Sequence, residues 1–369
     1  MNQASPIREM APVCVVGAGP CGLAACKNLA EHGIPHECLE RQDDVGGHWY
    51  GDSPHSGVYA STHLISSKKL TEFDDFRMPK QFPQYPHHSQ AFAYLRDYAQ
   101  HFRLRDRIRF RTTVQRIHPR EDGWLVSTAD GNERFYSAVI LAHGHHVEPH
   151  LPEIPGRFAG ATLHSKNYKT PDLIRNQRLL IIGAGNSGCD LAVEAAYHAR
   201  SVTLSLRRGY HILPKYLFGT PLDRCGEQLD RWLLPGRVKR RIAEKLIQVA
   251  VGPVELCGLP RPAHRLFTTH PIVNSHLPLL VAHQRVQVKP DVVAFHDYQV
   301  DFQDGTSEEF DLVIFATGYQ LSFPFVDLAN LNGSQGVPEL FLNAFHPTRD
   351  DVVVAGMFQP NGGIWKLAD

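Results

Sequence analysis

Apolar residues in this chain gather in short unbroken runs, and glycines follow two of them at a fixed spacing. Residues 13–16 (V-C-V-V) and 179–182 (L-L-I-I) are uninterrupted apolar stretches. That is the pattern of a strand buried on both faces, not of one with a wet side. Each run leads into three glycines and then into a helical pattern, over 23–32 in the first case and 189–199 in the second. Further short runs at 37–39, 138–142, 202–206 and 311–315 predict more strands. Strands alternating with helices predict parallel sheets, so the fold class is α/β. Asp304-Gly305, between 300–302 and 310–315, predicts a hairpin turn. Residues 237–245 predict a basic helix followed by an apolar stretch, 246–251. A solvated helix is favoured there over one lying on a membrane surface.

The glycine spacing gives the runs a chemical meaning. The first reads G-A-G-P-C-G, with Gly17, Gly19, Pro20 and Gly22 between strand and helix. In this context G-x-G-x-x-G admits a pyrophosphate to the free N–H groups of a helix N-terminus. The next strand ends at Glu40, 18 residues past Gly22, where an acid binds ribose hydroxyls. The second reads G-A-G-N-S-G, with Gly183, Gly185, Asn186, Ser187 and Gly188. Its following strand ends not in an acid but in Arg207 and Arg208. Guanidinium groups pair with a 2′-phosphate that a carboxylate would repel. The first site therefore reads as one for an adenine dinucleotide lacking that phosphate, and the second as one for NADP. Two such units in one chain predict a flavoprotein: two Rossmann-like dinucleotide-binding domains, FAD in the first and NADPH in the second. The FAD domain is expected to be discontinuous, spanning 1–170 and 291–369, with the NADPH domain inserted at 171–290. The 311–319 strand, ending Ala316-Thr317-Gly318-Tyr319, is expected to return to the FAD domain, with Thr317 and Gly318 near the flavin.

Composition narrows the field. In 369 residues, 38 basic and 38 acidic side chains balance, which argues against a nucleic-acid binder. No apolar run approaches the roughly 18 residues of a membrane span, and the first residues do not form a secretory signal. Seven cysteines include no C-x-x-C pair, which disfavours a zinc site or a dithiol redox centre. A reducing, cytoplasmic setting is expected. The run His143-Gly144-His145-His146 predicts a strand end and turn, and no metal site is expected.

Longer motifs carry a family resemblance. Phe158, Gly160, His164, Tyr168 and Lys169 fit F-x-G-x-x-x-H-x-x-x-Y-K, and Gly46-Gly47-His48-Trp49 fits G-G-x-W. With Lys68, the segment 73–79, Phe218-Gly219 with Pro221 and Asp223, and 315–319, the chain resembles the flavin-containing monooxygenases over its whole length. That resemblance implies an enzyme that takes electrons from NADPH. It would insert one atom of O2 into a soft nucleophile, an amine nitrogen or sulfide sulfur, through a C4a-hydroperoxyflavin. Gly47, His48 and Trp49 would flank the flavin half of FAD. The backbone at Val114 would meet its adenine, and Gln359 would approach the ring system. Tyr168-Lys169 favours this branch over the Baeyer–Villiger enzymes, which usually carry Trp there. The keto-acid decarboxylating relatives share the scaffold, and a non-oxygenating NADPH oxidase or reductase is the other alternative. Many members place an Asn where this chain has Ile65, so the catalytic polar role would pass to His63 or Ser66. Small-molecule substrate and O2 are the expected partners. Family members often form homodimers, and they usually continue beyond the point matched by Asp369.

Overall fold

The computed structural model describes residues 11–231, 234–270, 272–334, 337–358, 363 and 365. Its frame is two five-stranded parallel sheets built to one plan. In the first, Val13–Val16 is the central strand, flanked by His36–Leu39 and Ala138–Leu141, with Ile108–Arg109 and Val352–Val354 at the edges. In the second, Arg178–Ile182 is central, flanked by Ser201–Ser205 and Leu312–Phe315, with Gln287–Lys289 and Ala161–His164 at the edges. The central strands are buried along almost their whole length, which is why they read as unbroken apolar runs. Each glycine turn opens a helix at the carboxyl end of its central strand, Pro20–Glu31 in the first unit and Asn186–His198 in the second.

The pairing corrects one expectation. Strand Leu312–Phe315 lies between Ala161–His164 and Arg178–Ile182, so it belongs to the second sheet and not to the first. Its counterpart in the first sheet is Ala138–Leu141, and each lies beside the strand that bears the glycine turn. The return to the first sheet is made later by Val352–Val354. The physical reason is that an apolar run specifies burial but not a partner, and both sheets offered an open neighbour position. The second sheet thus draws strands from both sides of 171–290.

Antiparallel additions complete each unit. Val114–Arg120, Gly123–Thr128 and Glu133–Tyr136 form a three-stranded meander on the first. Val292–Asp297, Gln299–Phe302 and Ser307–Glu309 form another beside the second, and the expected Asp304-Gly305 hairpin is there, with Gly305 at φ 79°. Helix His88–His101 packs Tyr94, Leu95 and Tyr98 into the first core with Leu23, Phe73 and Trp365. It starts where a capping box predicts: His87 Nδ1 accepts from Ser89 N (3.3 Å), and Gln90 Oε1 accepts from His87 N (3.0 Å). The basic segment and the apolar stretch after it form one helix, Gly236–Val251, none of whose residues is buried. No helix among the described residues is long and apolar enough to cross a membrane.

The two units are joined by a strap, residues 53–68, that leaves the first unit and lies on the second. Tyr59 of this strap is 6% exposed and belongs to the core cluster of the second unit, beside Tyr168, Leu191 and Ala195.

Candidate cofactor and catalytic site

At the first glycine turn, backbone approaches backbone. Gly17 has φ 101°, and a Cβ there would lie 2.7 Å from the Ala142 carbonyl oxygen. A Cβ on Gly22 would overlap the Gly17 carbonyl oxygen, so only glycine lets helix Pro20–Glu31 sit this close to its strand. Gly19 caps that helix in extended conformation, Pro20 occupies its first turn, and no side chain caps it or places an acid there. Its free N–H groups and its dipole therefore face an uncontested space that fits a pyrophosphate. The second turn repeats this. Gly183 has φ 104° against the Ala316 carbonyl oxygen (2.6 Å), and Gly188 is pressed on Gly183. Gly185 caps helix Asn186–His198 without side-chain assistance, and a Cβ on it would meet nothing within 4 Å.

Glu40 is 5% exposed at the end of its strand. Its Oε2 accepts from Ala18 N (2.6 Å) and its Oε1 from Gln42 N (2.8 Å). Each carboxylate oxygen keeps a second lone pair, so Glu40 braces the glycine turn and can still accept ribose hydroxyls. Gly46 N donates to the Ala18 carbonyl (2.9 Å), which sets the Gly47–Trp49 turn directly on the first glycine turn. Arg207 and Arg208 stand exposed at the end of Ser201–Ser205, and neither pairs with a carboxylate among the described residues. The Arg208 guanidinium lies 5.4 Å from the Tyr210 ring centroid. Ser187 is exposed at the second cradle, but the Asn186 side chain is engaged in the fold, its Oδ1 accepting from Val273 N (2.8 Å).

The remaining sequence-nominated residues are more scattered. Val114 opens the meander strand Val114–Arg120, next to a bulge. Gln359 lies outside the described residues. His63 is exposed, its Nδ1–H donating to the Ser61 carbonyl (2.8 Å) and its ring against His87. Ser66 Oγ is hydrogen-bonded to Thr71 Oγ1 (2.7 Å). The structure thus gives His63 and Ser66 local partners in the strap and its flank, and their recorded hydrogen bonds and ring contacts do not reach either glycine cradle.

The fingerprint residues acquire roles. Gly160 leaves room for the Asp311 carbonyl oxygen, which a Cβ would meet at 2.6 Å. His164, buried, donates from Nε2 to the Gly318 carbonyl (3.0 Å) while Nδ1 accepts from Lys166 N (3.2 Å). The Tyr168 hydroxyl donates to Glu194 (2.6 Å), and Lys169 Nζ donates to the carbonyls of Ser56 (2.7 Å) and Val58 (3.1 Å). The Lys169 bonds tie the strap to the second unit.

Sequence reasoning missed a cluster of rings where the two units meet. His48 meets His146 edge-on (5.4 Å between ring centroids), and His146 lies 4.9 Å from the Tyr319 ring. Burial, then the charges of Lys169, His145 and Lys166, hold the His48 pKa down at about 4. The pKa of His146 is lowered too, by its partial enclosure and by the neighbouring His145 and His48, although the residue keeps an exposed edge. Both imidazoles are neutral at pH 7. His143 keeps a buried Nδ1 without a protein partner in the same region. Only the crowding of histidines at 143–146 could have hinted at this cluster, and spacing alone gave a turn. No group of three or more metal-capable side chains occurs among the described residues.

Comparison with known proteins gives the same picture. A family model described as "Flavin-binding monooxygenase-like" matches residues 10–369. Flavin-containing monooxygenase 5 of Oryctolagus cuniculus is 35% identical over 380 residues, covering 97% of this chain and 71% of the relative. Flavin-containing monooxygenase 2 of Homo sapiens is 33% identical over the same span. Among solved structures, a flavin-containing monooxygenase from Stenotrophomonas maltophilia superposes with TM-score 0.73 at 25% identity, covering 97% of this chain and 96% of that one. A cyclohexanone monooxygenase shares the fold (TM-score 0.74, 19% identity, 97% and 84% covered). The chain belongs to the flavin-binding monooxygenase-like family, as an oxidoreductase that works with FAD and NADPH.

Proposed function

We propose that the chain inserts one oxygen atom of O2 into a soft nucleophile, an amine nitrogen or a sulfide sulfur, at the expense of NADPH. The observation that carries this reading is the pair of Cβ-free cradles on two parallel sheets of one plan, one closed by Glu40 and the other by exposed Arg207 and Arg208. FAD fits the first. Gly17, Gly19, Pro20 and Gly22 would admit its pyrophosphate, Glu40 its ribose, Val114 its adenine, and Gly47, His48 and Trp49 its flavin half, with Gln359 on the ring side. NADPH fits the second. Gly183, Gly185 and Gly188 would take its pyrophosphate beside Asn186 and Ser187, and the two arginines its 2′-phosphate. By strand membership, the first domain would comprise residues up to about 150 and from about 322 onward. The second would lie between them.

Bound flavin supplies oxygen activation, with NADPH as electron source. The protein's part is to hold both groups and keep water out. His48, His146 and Tyr319 offer rings that carry no charge at pH 7, and the nearby ammonium groups of Lys166 and Lys169 are held on the carbonyls of Val147, Ser56 and Val58. A neutral imidazole can also accept a hydrogen bond at one ring nitrogen and donate one from the other. His63 and Ser66 are bonded locally to Ser61 and Thr71, and a catalytic role for either would need a partner beyond these.

The test is stoichiometry. With tertiary amine, sulfide and cyclic ketone substrates, NADPH consumed should equal N- or S-oxygenated product, with little hydrogen peroxide. Lactone from the ketone would move the chain to the Baeyer–Villiger branch. Peroxide equal to NADPH with every substrate would make it an oxidase.

A further inference from the structure

We propose that Asp190 is a positioning residue, which fastens the helix behind the second glycine turn to the strap that runs in from the first unit, through the hydroxyl of Tyr59. This rests on the reading of that turn as the NADPH cradle.

Asp190 lies one turn into helix Asn186–His198. Its Oδ1 accepts from Asn274 Nδ2 (2.7 Å), and its Oδ2 accepts from the Tyr59 hydroxyl (3.5 Å). One turn earlier, Asn186 Oδ1 accepts from Val273 N (2.8 Å). The first two turns of the helix are therefore clipped to residues 273–274 at two points and to the strap of the other unit at a third. Asn274 is itself fixed, since its Oδ1 accepts from His276 N (3.0 Å) and Leu277 N (2.8 Å). Tyr59 is fixed as well, edge-on to Tyr168 at 5.7 Å, with its backbone N donating to Thr62 Oγ1 (2.9 Å).

The carboxylate does not sit there at no cost. Burial raises its pKa to about 6, against the hydrogen bonds and the charge of Lys215, which lower it. A well-packed apolar side chain would avoid that penalty. What the carboxylate adds is direction: two acceptor oxygens aimed at two donors, one on residues 273–274 and one on the strap. The consequence is geometric. The second cradle cannot turn relative to the strap without breaking the Tyr59 bond. Rates of transfer between two bound groups depend steeply on their separation and angle.

The experiment uses the full chain with FAD, reduced by NADPH without oxygen, in Asp190→Leu, Asp190→Asn, Tyr59→Phe and the Tyr59→Phe/Asp190→Leu double variant. Asp190→Leu and Tyr59→Phe are each expected to lower the limiting rate of flavin bleaching about tenfold, with the half-saturating NADPH concentration within about twofold of wild type. The double variant should be no slower than its worse parent, as for two ends of one contact. Asp190→Asn should keep most of the rate, because its amide can still accept from Asn274 and donate toward Tyr59. A cofactor-free readout accompanies this. Amide exchange over residues 57–62 should quicken in Asp190→Leu and Tyr59→Phe while that over 179–182 stays unchanged.

Unchanged exchange at 57–62 overturns the proposal. So does a loss that appears only as weaker NADPH binding, which would make Asp190 part of the nucleotide site. Should Asp190→Leu fail to fold, Tyr59→Phe, which removes one oxygen atom, decides alone. If the wild-type flavin is not bleached by NADPH, the assignment of the cradle fails, and the exchange arm still judges the latch.

Discussion

Gly185 allows a test that Gly22 does not. At Gly22 an added methyl collides with the Gly17 carbonyl, so a Gly22→Ala variant confounds ligand loss with a displaced helix. At Gly185 the backbone is extended (φ −72°, ψ −177°) and the added methyl meets no protein atom within 4 Å. An L-residue is tolerated there by the protein itself. Gly185→Ala should therefore leave the apo melting temperature within about 1 °C, since surface changes stay within about ±0.5 kcal/mol. It should weaken NADPH about tenfold or more, because the methyl stands where a pyrophosphate would lie against backbone. Titration calorimetry alongside a melt checks both halves. Unchanged NADPH affinity would move the pyrophosphate elsewhere. Gly185 is the second glycine of its motif and Gly22 the third of the other, and their surroundings match those positions: one is open where a ligand would approach, the other pressed on the strand end.

At the scale of the element, the proposed choice of cofactor falls at the end of each second strand. His36–Leu39 ends at a buried glutamate bonded to the glycine turn, whereas Ser201–Ser205 leads to two exposed arginines without acidic partners among the described residues. Removing both, as Arg207→Ala with Arg208→Ala, should raise the KM for NADPH about tenfold, the size of one or two lost charge-assisted contacts, and leave that for NADH unchanged. Equal effects on both nucleotides would mean that the arginines touch something common to them. These strand ends are legible in the sequence because strand, turn, helix and terminal residue are contiguous. The same locality explains what is not legible. Residues 312–315 read as a strand, but their sheet does not follow, since pairing with Arg178–Ile182 joins segments far apart in the chain. Glu40 stands out by its position, yet its bond to Ala18 N depends on the turn geometry. His63 and Ser66 stand out only because an expected amide is missing nearby, a substitution argument that carries no information about where the side chains point.

For the whole molecule, protonation and folding are linked at the ring cluster where the units meet. His48, at about 4, and His146, at about 3, bind their protons less readily than an unfolded imidazole near 6.5. As pH falls from about 6.5 toward 4 the unfolded chain takes up protons that the folded chain refuses, so these two groups make stability fall with pH. Below about 3 both states are protonated and the loss levels off. Asp190 acts in the opposite sense. Its folded pKa, about 6, is above the unfolded value, so the folded state holds the extra proton between about 4 and 6, and stability from this group rises as pH falls. Two histidines against one carboxylate leave a net loss on acidification, which begins above about pH 6, where only the histidines respond. Urea midpoints at pH 7.5, 6.0 and 5.0 should decline in that order. They should decline less in His48→Gln/His146→Gln, and more in Asp190→Asn, which removes the opposing group. A double histidine variant with the wild-type slope would place the acid sensitivity in other groups, among them His143, His145 and His164, whose pKa values burial also lowers. The neutral state is what the proposed amine site requires. The same measurement therefore bears on the chemistry: were both histidines to titrate near 6.5, about three quarters of the molecules would carry at least one cationic ring at that pH, which would repel protonated amines.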